Sequence, residues 1–370
     1  MNIARLAVTS FASPFREPVL TSQGKITERR GFLIAVFNES GAVGIGEVAP
    51  LPEFGTETHA AAERRLKQLA SRTEWPACEY GIEEISVWRQ KLWLSPVSHP
   101  ATCFGIECAM LALLCQSEPA PVQEQLSEHA ADRLRVNALI SGARPKDVIA
   151  AANRAVSEGF RALKIKVGTR VIEEEIQLFQ RLRELFPDAW LRADANGGWS
   201  IEETLKFAKA AKDLPLEYVE DPVPVEQLDD LLREPDTSTL RLALDEAVRS
   251  PEILRRMLAH CRCTAVIVKP PVLGSFMQLV EAAIAVRDQT SQTVITSLYE
   301  SSVGLSYAAV CAGAYGSFKF AHGLGTARLL AEDTLTEPLL PVNGYMMVPE
   351  VRDLPGRLLP RYKLELGIPA

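Results

Sequence analysis

The amino-acid sequence predicts an α/β fold in which a (β/α)₈ TIM-type barrel carries an N-terminal α+β capping domain that the C-terminal tail completes. The chain has 370 residues, more than the roughly 200 to 250 of a barrel alone, so a second, smaller domain is expected. After about residue 130, eight short apolar runs alternate with amphipathic segments, as βα units around a parallel sheet do. No glycine-rich phosphate loop follows the first run, which counts against a dinucleotide-binding sheet.

The capping domain is predicted over residues 1–128. Alternating apolar residues at Phe32–Phe37 and Val43–Val48 predict two strands. Helical patterns follow around Thr58–Leu69 and Gly105–Cys115. This mixture of strands and helices lacks the regular βα repeat and therefore indicates a separate α+β unit.

The barrel is predicted over residues 129–333. Segments of helical length separate its apolar runs, and one of them, after Ser200, begins with a capping box that Glu203 completes. The eight runs predicted as strands are Leu134–Ile140, Ala162–Val167, Trp190–Asp194, Glu217–Glu220, Leu242–Asp245, Ala265–Lys269, Thr293–Ser297 and Phe318–Ala321. The proline-rich tail, residues 334–370, has no βα unit and is predicted to pack back on the capping domain.

The composition excludes several classes of protein. The net charge is −7 and the lysines and arginines are scattered, so no nucleic-acid partner is predicted. Apolar stretches such as Cys108–Leu114 fall short of the ~20 residues that cross a bilayer, and the N-terminus lacks the apolar core of a signal peptide. We therefore expect a cytoplasmic protein without a membrane partner. The seven cysteines lack paired zinc spacing and are expected to be buried free thiols, while the oligomeric state is not predicted.

Three consecutive apolar runs end in an acid. These acids are Asp194, Glu220 and Asp245, which lie 26 and 25 positions apart, about one βα unit each. The spacing brings the three carboxylates to one rim of the barrel, where they would repel one another unless a cation lay between them. Oxygen ligands of this kind suit Mg²⁺.

Lysines end the runs on either side of the acids. Lys164 and Lys166 share one strand face, and Lys269 ends the sixth run. This set suits removal of a proton from a carbon next to a carboxylate, because a divalent cation stabilises the enediolate and a lysine accepts the proton. Lys166 is the predicted base, since a neighbouring ammonium on Lys164 disfavours a second positive charge, and Lys269 stays charged.

The residues around these acids and lysines resemble motifs of the enolase superfamily, in its muconate-lactonizing-enzyme-like branch, and the likeness extends over nearly the whole chain. The motifs are Lys164-x-Lys166, Asp194-Ala-Asn196, Glu220-Asp221-Pro222, Asp245-Glu246 and Lys269-Pro270. The resemblance implies that Asp194, Glu220 and Asp245 bind Mg²⁺, with Mn²⁺ as an alternative metal. It also implies that Lys166 and Lys269 face each other across a small-molecule carboxylate substrate, which Lys164 and Asn196 help to bind.

Further segments resemble the o-succinylbenzoate synthases within that branch. They are Arg30-Gly31, the run from Gly46 through Thr58, Lys269 to Ser275, Ser297 to Gly304, and His322 to Thr326. The resemblance implies dehydration of 2-succinyl-6-hydroxy-2,4-cyclohexadiene-1-carboxylate, a step of menaquinone or phylloquinone biosynthesis. Glu53 stands where the family often has glycine, in a loop expected to cover the site, so substrate choice is less constrained than reaction class.

An anion site is predicted after the seventh strand. Ser301, Ser302 and Gly304 open a helix, and their backbone N–H groups are predicted to hold the succinyl carboxylate of the substrate. The alternative interpretation is simple helix capping.

The sequence is also compatible with two other functions. An N-succinylamino acid racemase or a dipeptide epimerase of the same branch would need the same two lysines. Dipeptide epimerases typically have an acidic pair near strand eight, however, and the segment from His322 to Thr326 has no acid. A barrel that has lost catalysis and only binds a partner is the second alternative, although the three acids and the lysines are all present.

Overall fold

The computed structural model describes residues 1–21, 24–79, 81–212, 214, 216–235, 237, 240–289 and 291–369. Its N-terminal part contains a three-stranded antiparallel sheet in the order β1-β2-β3. The strands are β1 (Ile3–Thr21), β2 (Gly24–Asn38) and β3 (Val43–Val48). The predicted strand at Phe32–Phe37 is the buried half of β2, whereas the other half extends toward the barrel and is mostly exposed. The prediction at Val43–Val48 is confirmed.

Four helices belong to this part of the chain, and the first and third of them pack against the sheet. They are α1 (His59–Ala70), α2 (Glu83–Lys91), α3 (Pro100–Leu114) and α4 (Val122–Leu126). Thr58 caps α1 by accepting a hydrogen bond from the Ala61 N–H. The segment Pro100–Ser117 is long and apolar enough to cross a membrane, but 89% of it is buried inside the protein, so it is a core helix. All seven cysteines are buried free thiols, as predicted.

Helix α3 lies directly against strand β3 because glycines remove the side chains between them. A Cβ atom on Gly46 would overlap the carbonyl oxygen of Gly105, and one on Gly105 would overlap the carbonyl oxygen of Glu47. Both atoms that would be struck belong to the backbone, which cannot rotate away as a side chain can. The contact therefore fixes the distance between helix and strand.

We expect Gly46→Ala to lower the free energy of unfolding by about 2 to 3 kcal/mol, because the added methyl group forces α3 away from β3. Urea unfolding checks this. Gly356→Ala is the matched control, since a Cβ atom there meets nothing within 4 Å, and its stability should equal or slightly exceed that of the wild type. Equal stability of the two variants would contradict this account of the α3–β3 contact.

The predicted first barrel strand, Leu134–Ile140, divides into two shorter strands. They are β4 (Arg133–Arg135), outside the barrel, and β5 (Asn137–Ile140), its first strand. Val136 separates them, and its N–H donates to the carbonyl oxygen of Gly344. The division arises because β4 pairs with a strand near the C-terminus, which the local sequence pattern cannot reveal.

Six more parallel strands follow β5 in chain order, so that seven described strands form one sheet. They are β6 (Ala162–Lys166), β7 (Trp190–Asp194), β8 (Leu216–Glu220), β9 (Leu242–Leu244), β10 (Ala265–Val268) and β11 (Gln292–Ile295). The helices between and after them are α5 (Pro145–Ser157), α6 (Ile172–Leu185), α7 (Ile201–Ala210), α8 (Leu228–Arg233), α9 (Pro251–Leu258), α10 (Pro270–Leu273), α11 (Phe276–Asp288) and α12 (Ser302–Tyr315). The predicted order of parallel strands is therefore confirmed from the second run to the seventh.

The eighth position of the barrel is occupied by two residues, His322 and Gly323. His322 bridges to Val136 on one side, and Gly323 bridges to Thr296 on the other, both in parallel register. The predicted eighth strand at Phe318–Ala321 is therefore wrong by a few residues. Gly323 suits this place because a Cβ atom there would overlap the side chain of Thr296. These bridges join the first and last strands and close the barrel.

The C-terminal segment returns to the N-terminal half of the chain. Strand β12 (Tyr345–Met347) pairs with β4, and helices α13 (Leu354–Arg357) and α14 (Pro360–Leu366) follow it. Arg5 of β1 donates to the carbonyl oxygens of Leu366 and Gly367. The division at residues 128 and 333 stays a prediction.

Candidate active site

One cavity of about 400 Å³ opens at the C-terminal end of the barrel strands. Seven residues singled out from the sequence line it together: Lys164, Lys166, Asp194, Asn196, Glu220, Asp245 and Lys269. Lys166 belongs to the second barrel strand and Lys269 directly follows the sixth. Strands four positions apart in an eight-position barrel are opposite one another, so the two lysines approach the cavity from opposite sides.

The lysines and acids form a network of ion pairs. Asp194 Oδ2 accepts from Lys164 Nζ at 2.9 Å and from Lys166 Nζ at 2.7 Å. Lys164 also reaches Glu220 at 2.6 Å, and Lys269 pairs with Asp245. Lys166 donates in addition to the side-chain oxygen of Asn196. Each acid predicted as a metal ligand therefore contacts at least one lysine ammonium.

The loops after β7 and β8 hold these acids through residues in the left-handed region. Asn196 has φ 46°, and its N–H donates to Asp194 Oδ1 at 3.2 Å. Asp221 has φ 38°, and its carboxylate accepts from the N–H groups of Asp245 at 3.0 Å and Glu246 at 2.7 Å. Asparagine and aspartate tolerate this conformation better than other side chains. The buried side chain of Asp221 thus fixes the end of the neighbouring strand, where Asp245 lies.

Burial and mutual repulsion control the charges of the acids. Burial, together with the nearby carboxylate of Asp194, raises the pKa of Glu220 to about 8. Burial and the neighbouring Asp245 raise the pKa of Asp221 to about 7. Burial alone would also raise the pKa of Asp194, but the ammonium groups of Lys164 and Lys166 hold that pKa below its ordinary value. Four carboxyl groups thus share a buried space with three ammonium groups.

This donor set fits a divalent cation. Glu220 is fully buried, and its Oε2 atom has no hydrogen-bond partner in the described part of the chain. An unpaired buried carboxylate oxygen is costly, and a metal ion would satisfy it. Among the residues that the structure describes, however, no three histidine, cysteine, aspartate or glutamate side chains converge as a ready-made metal site. The lysine ammonium groups contact the acids instead, and the roles of Asp194, Glu220 and Asp245 as ligands stay a prediction.

A buried carboxylate clamps the two loops that follow Lys166 and Asp194. Glu175 accepts from the N–H of Gly168 at 2.8 Å and from the indole N–H of Trp199 at 2.7 Å. Gly168 precedes α6 and Trp199 precedes α7, so one side chain of α6 connects both loops. The clamp holds the strand ends that carry the predicted base and the first acid.

A buried arginine of β7 connects several strands inside the barrel. Arg192 donates to Glu217 at 2.6 Å and to the carbonyl oxygen of Ala321 at 2.7 Å. Glu217 reaches it because a register shift between β7 and β8 inserts one extra residue at this point. Arg192 thereby ties the eighth barrel position to the third and fourth strands.

Two aromatic side chains, Phe54 and Tyr299, line the cavity next to Lys269. Together with Phe15, which packs against Tyr299 from outside the cavity, we call them the aromatic roof. The Tyr299 ring lies 5.9 Å from that of Phe15 and 6.4 Å from that of Phe54. The ammonium of Lys269 lies 5.6 Å from the centre of the Phe54 ring. Glu53 instead lines a smaller opening beside Lys269. The loop from Pro50 to Glu57 thus reaches the barrel mouth through Phe54.

Two family models match the chain. Residues 147–356 match the family described as Enolase C-terminal domain-like, and residues 4–113 match the one described as MenC, N-terminal domain. The o-succinylbenzoate synthase of Mycobacterium bovis is 31% identical over 258 residues, which cover 68% of this chain and 74% of that protein. The chain belongs to the o-succinylbenzoate synthase family. The o-succinylbenzoate synthase of Pasteurella multocida is 27% identical over 94% of this chain and 98% of its own length.

The chain is also similar to part of a longer protein and to a more distant solved structure. Protein PHYLLO, chloroplastic, of Arabidopsis thaliana is 29% identical over 84% of this chain, and the match spans only 20% of PHYLLO. The dipeptide epimerase from Methylococcus capsulatus, complexed with Mg and a dipeptide, matches with a TM-score of 0.83 at 22% identity, covering 95% of this chain and 98% of that one. This likeness confirms the predicted barrel with its capping domain.

The structure contradicts the predicted anion site at the start of α12. The N–H groups of Ser301 and Gly304 donate to Glu47 at 3.0 and 2.8 Å, and the N–H of Ser302 donates to Asp333 at 3.0 Å. These donors are buried and do not line the cavity. The prediction that they hold the succinyl carboxylate is wrong, because protein carboxylates already take the helix N-terminus.

Three further cavity residues lie in segments that resemble the family, but no role in the site was predicted for them. Ser297, Gly323 and Thr326 line the cavity, and the hydroxyls of Ser297 and Thr326 lie 2.5 Å apart. The available signal was their position at the ends of the seventh and eighth strands, the rule that located the acids.

The buried carboxyl group of Glu47 is expected to make the stability of the chain depend on pH. Burial raises the pKa of Glu47 from 4.5 to about 8, although the donors from Ser301 and Gly304 oppose the rise. Between these two values the folded chain binds the extra proton, so the contribution of Glu47 to stability falls as the pH increases through this window. Glu47→Gln cannot ionise and should lack this part of the slope.

We therefore expect the wild type to lose on the order of a few kcal/mol of unfolding free energy relative to Glu47→Gln between about pH 5 and about pH 9. Urea unfolding across that range measures it. Glu128→Gln, at an exposed position, is the control and should run parallel to the wild type. Parallel curves for Glu47→Gln and the wild type would contradict the predicted ionisation.

Proposed function

We propose that the chain dehydrates 2-succinyl-6-hydroxy-2,4-cyclohexadiene-1-carboxylate to o-succinylbenzoate, in menaquinone or phylloquinone biosynthesis. One observation carries the proposal: Lys166 and Lys269 lie on opposite sides of a cavity whose rim carries three strand-end acids. Membership of the o-succinylbenzoate synthase family supports the same reaction. The partner is accordingly a small-molecule carboxylate rather than a nucleic acid or a membrane, and we propose a cytoplasmic location.

Asp194, Glu220 and Asp245 would hold Mg²⁺, for which Mn²⁺ is a chemically suitable substitute. The bound ion supplies electrostatic stabilisation of the enediolate formed from the substrate carboxylate. The unpartnered oxygen of Glu220 and the Mg complex of the structurally similar dipeptide epimerase support this assignment.

The chain's own residues perform the proton transfers. Lys164 and Lys269 bind the negative charge of the substrate carboxylate, and Asn196 orients the Lys166 ammonium through its side-chain oxygen. In its neutral form, Lys166 removes the proton from the carbon that bears the carboxylate. The bond between the adjacent carbon and its hydroxyl group then breaks, Lys166 returns the proton to the departing hydroxide as water, and the ring becomes aromatic. The aromatic roof excludes bulk water during these steps.

An N-succinylamino acid racemase is the second candidate, because two opposed lysines also suit proton exchange on either face of a carbon. A dipeptide epimerase fits less well. The cavity wall at the eighth barrel position is formed by Gly323, Gly325 and Thr326, which provide no carboxylate for a substrate amine. Non-catalytic binding alone would not require the opposed pair of lysines.

The test incubates the pure protein with the cyclohexadiene acid and, separately, with N-succinyl amino acids, each with Mg²⁺ or EDTA. We expect formation of the aromatic product, measured by ultraviolet absorbance, only when Mg²⁺ is present. Racemisation without any dehydration would show that the second candidate is correct. Loss of both activities in Mg²⁺ and Mn²⁺ would contradict the proposed chemistry.

A further inference from the structure

A buried guanidinium joins the capping domain to the barrel at Arg29, which is 2% exposed. Its Nη1 donates to the carbonyl oxygens of Pro50 at 2.7 Å and Arg30 at 3.1 Å, and its Nη2 donates to that of Ala49. Its Nε donates to the carbonyl oxygen of Leu298 at 3.3 Å. One side chain thus connects β2, the loop after β3 and the barrel loop after β11.

All four acceptors are backbone carbonyls. Within the part of the chain that the structure describes, the hydrogen bonds of the Arg29 guanidinium go to these carbonyls and not to a carboxylate, although the buried acids Glu300 and Glu47 attract it. Burying a guanidinium costs free energy, whereas an apolar side chain could fill the same space without that cost. Packing therefore does not explain why an arginine is present. The distinctive contribution of Arg29 is its fixed fork of donors, which an apolar chain lacks.

The peptide that Arg29 holds on the barrel side leads directly into the aromatic roof. Leu298 donates its N–H to Glu300 at 2.7 Å while its carbonyl accepts from Arg29, so this residue is held on both sides. The next residue, Tyr299, has φ 59°, a left-handed conformation that is unfavourable for a tyrosine and persists only when its surroundings hold it. Both Leu298 and Tyr299 line the cavity.

On the cap side, Arg29 holds the segment that leads to Phe54. Ala49 and Pro50 precede this residue by a few positions, and Phe54 lies against both the Tyr299 ring and the Lys269 ammonium. The guanidinium is therefore connected by backbone to two of the three members of the roof. It does not itself line the cavity.

We infer that Arg29 is a positioning residue that fixes the aromatic roof over Lys269 and thereby sets the affinity for the substrate. This rests on the proposed function, because the roof matters only if the substrate binds beneath it. The predicted base, Lys166, is anchored on the barrel by Asp194 and Asn196, far along the chain from Arg29. Loss of the guanidinium should therefore weaken substrate binding more than proton transfer.

The test compares steady-state kinetics of Arg29→Met, Arg29→Lys and Tyr299→Ala with the wild type, using whichever proposed substrate the wild type converts. Arg29→Met should raise KM by about 10²-fold while kcat changes less than about fivefold, because a displaced roof loses contacts with the bound substrate. Arg29→Lys keeps a charge but cannot reach all the carbonyls, so its KM should lie between that of the wild type and that of Arg29→Met. A purely structural loss would reduce the active fraction, which lowers apparent kcat and leaves KM unchanged.

Two further comparisons make the result specific. Arg65→Met is the matched control, because Arg65 also donates to backbone carbonyls, those of Leu92 and Trp93, at a place away from the cavity. Its KM should equal that of the wild type. The double variant Arg29→Met/Tyr299→Ala should have a KM no higher than the worse single variant, since both changes disturb the same roof.

An unchanged KM in Arg29→Lys and Arg29→Met, or fully multiplicative effects in the double variant, would overturn the inference. An equal rise of KM in Arg65→Met would overturn it as well. If Arg29→Met fails to fold, Arg29→Lys still decides, because its KM must rise above that of the wild type. Failure of the proposed function is seen separately, as a wild type that converts neither substrate.

Discussion

Replacing Lys166 with alanine is expected to lower kcat for dehydration by about 10²- to 10⁴-fold, which is the usual contribution of a positioned general base. Lys166 Nζ lies at the cavity within 2.7 Å of Asp194, and the nearby Lys164 ammonium is itself held between Asp194 and Glu220. Burial would lower the pKa of Lys164, but these two carboxylates raise it well above its ordinary value, so Lys164 stays charged. The neighbouring lysine therefore cannot replace Lys166 as the proton acceptor.

Exchange of the substrate α-proton in deuterated water separates the roles of the two opposed lysines. Lys166→Ala should abolish exchange, whereas Lys269→Arg keeps a cation and should impair enediolate support and any two-base racemisation. Lys206→Ala, at an exposed position on α7, is the control and should keep the wild-type rate. Exchange at the wild-type rate in Lys166→Ala would mean that another residue is the base.

Asp194→Asn, Glu220→Gln and Asp245→Asn should each weaken Mg²⁺ binding and reduce transition-state stabilisation by several kcal/mol, or more than about 10²-fold in kcat/KM. The physical reason is the excess of buried carboxyl groups over ammonium groups, which a divalent cation would neutralise. Calorimetric titration with Mg²⁺ measures the binding directly. Asp188→Asn, an exposed acid on the barrel, should titrate like the wild type.

EDTA provides an independent check of the same assignment. The wild type should lose activity in the chelator and regain it when Mg²⁺ is added back. If all three variants kept full activity in EDTA, the strand-end acids would have a purely structural role and the metal assignment would be refuted.

The position of the acids and lysines could be predicted because a parallel barrel directs the ends of its strands to one rim. Asp194, Glu220 and Lys269 are each located by their own strand alone, without knowledge of distant contacts. The ion pairs among them could not be predicted in detail. They depend on side-chain conformations and on the left-handed turns at Asn196 and Asp221.

The failed predictions all involve partners far apart in the chain. The helix N-terminus at Ser301 looked free because its acceptor, Glu47, lies 254 positions earlier. The last barrel strand was predicted at Phe318–Ala321 because this run is apolar. The residues that pair with the neighbouring strands are instead the polar His322 and Gly323. His322 Nδ1 even accepts from the N–H of Ile295, a use of histidine that periodicity does not reveal.

The meeting of the two ends of the chain has a consequence for the kinetics of folding. Arg5 and Leu366 are separated by 361 positions, and β1 cannot gain its contacts with α14 until the barrel between them has been made. Such distant contacts close a very long loop and slow the search for the native state. On a ribosome the N-terminal sheet emerges first yet is completed last, so we expect its outer face to remain uncovered throughout synthesis of the barrel.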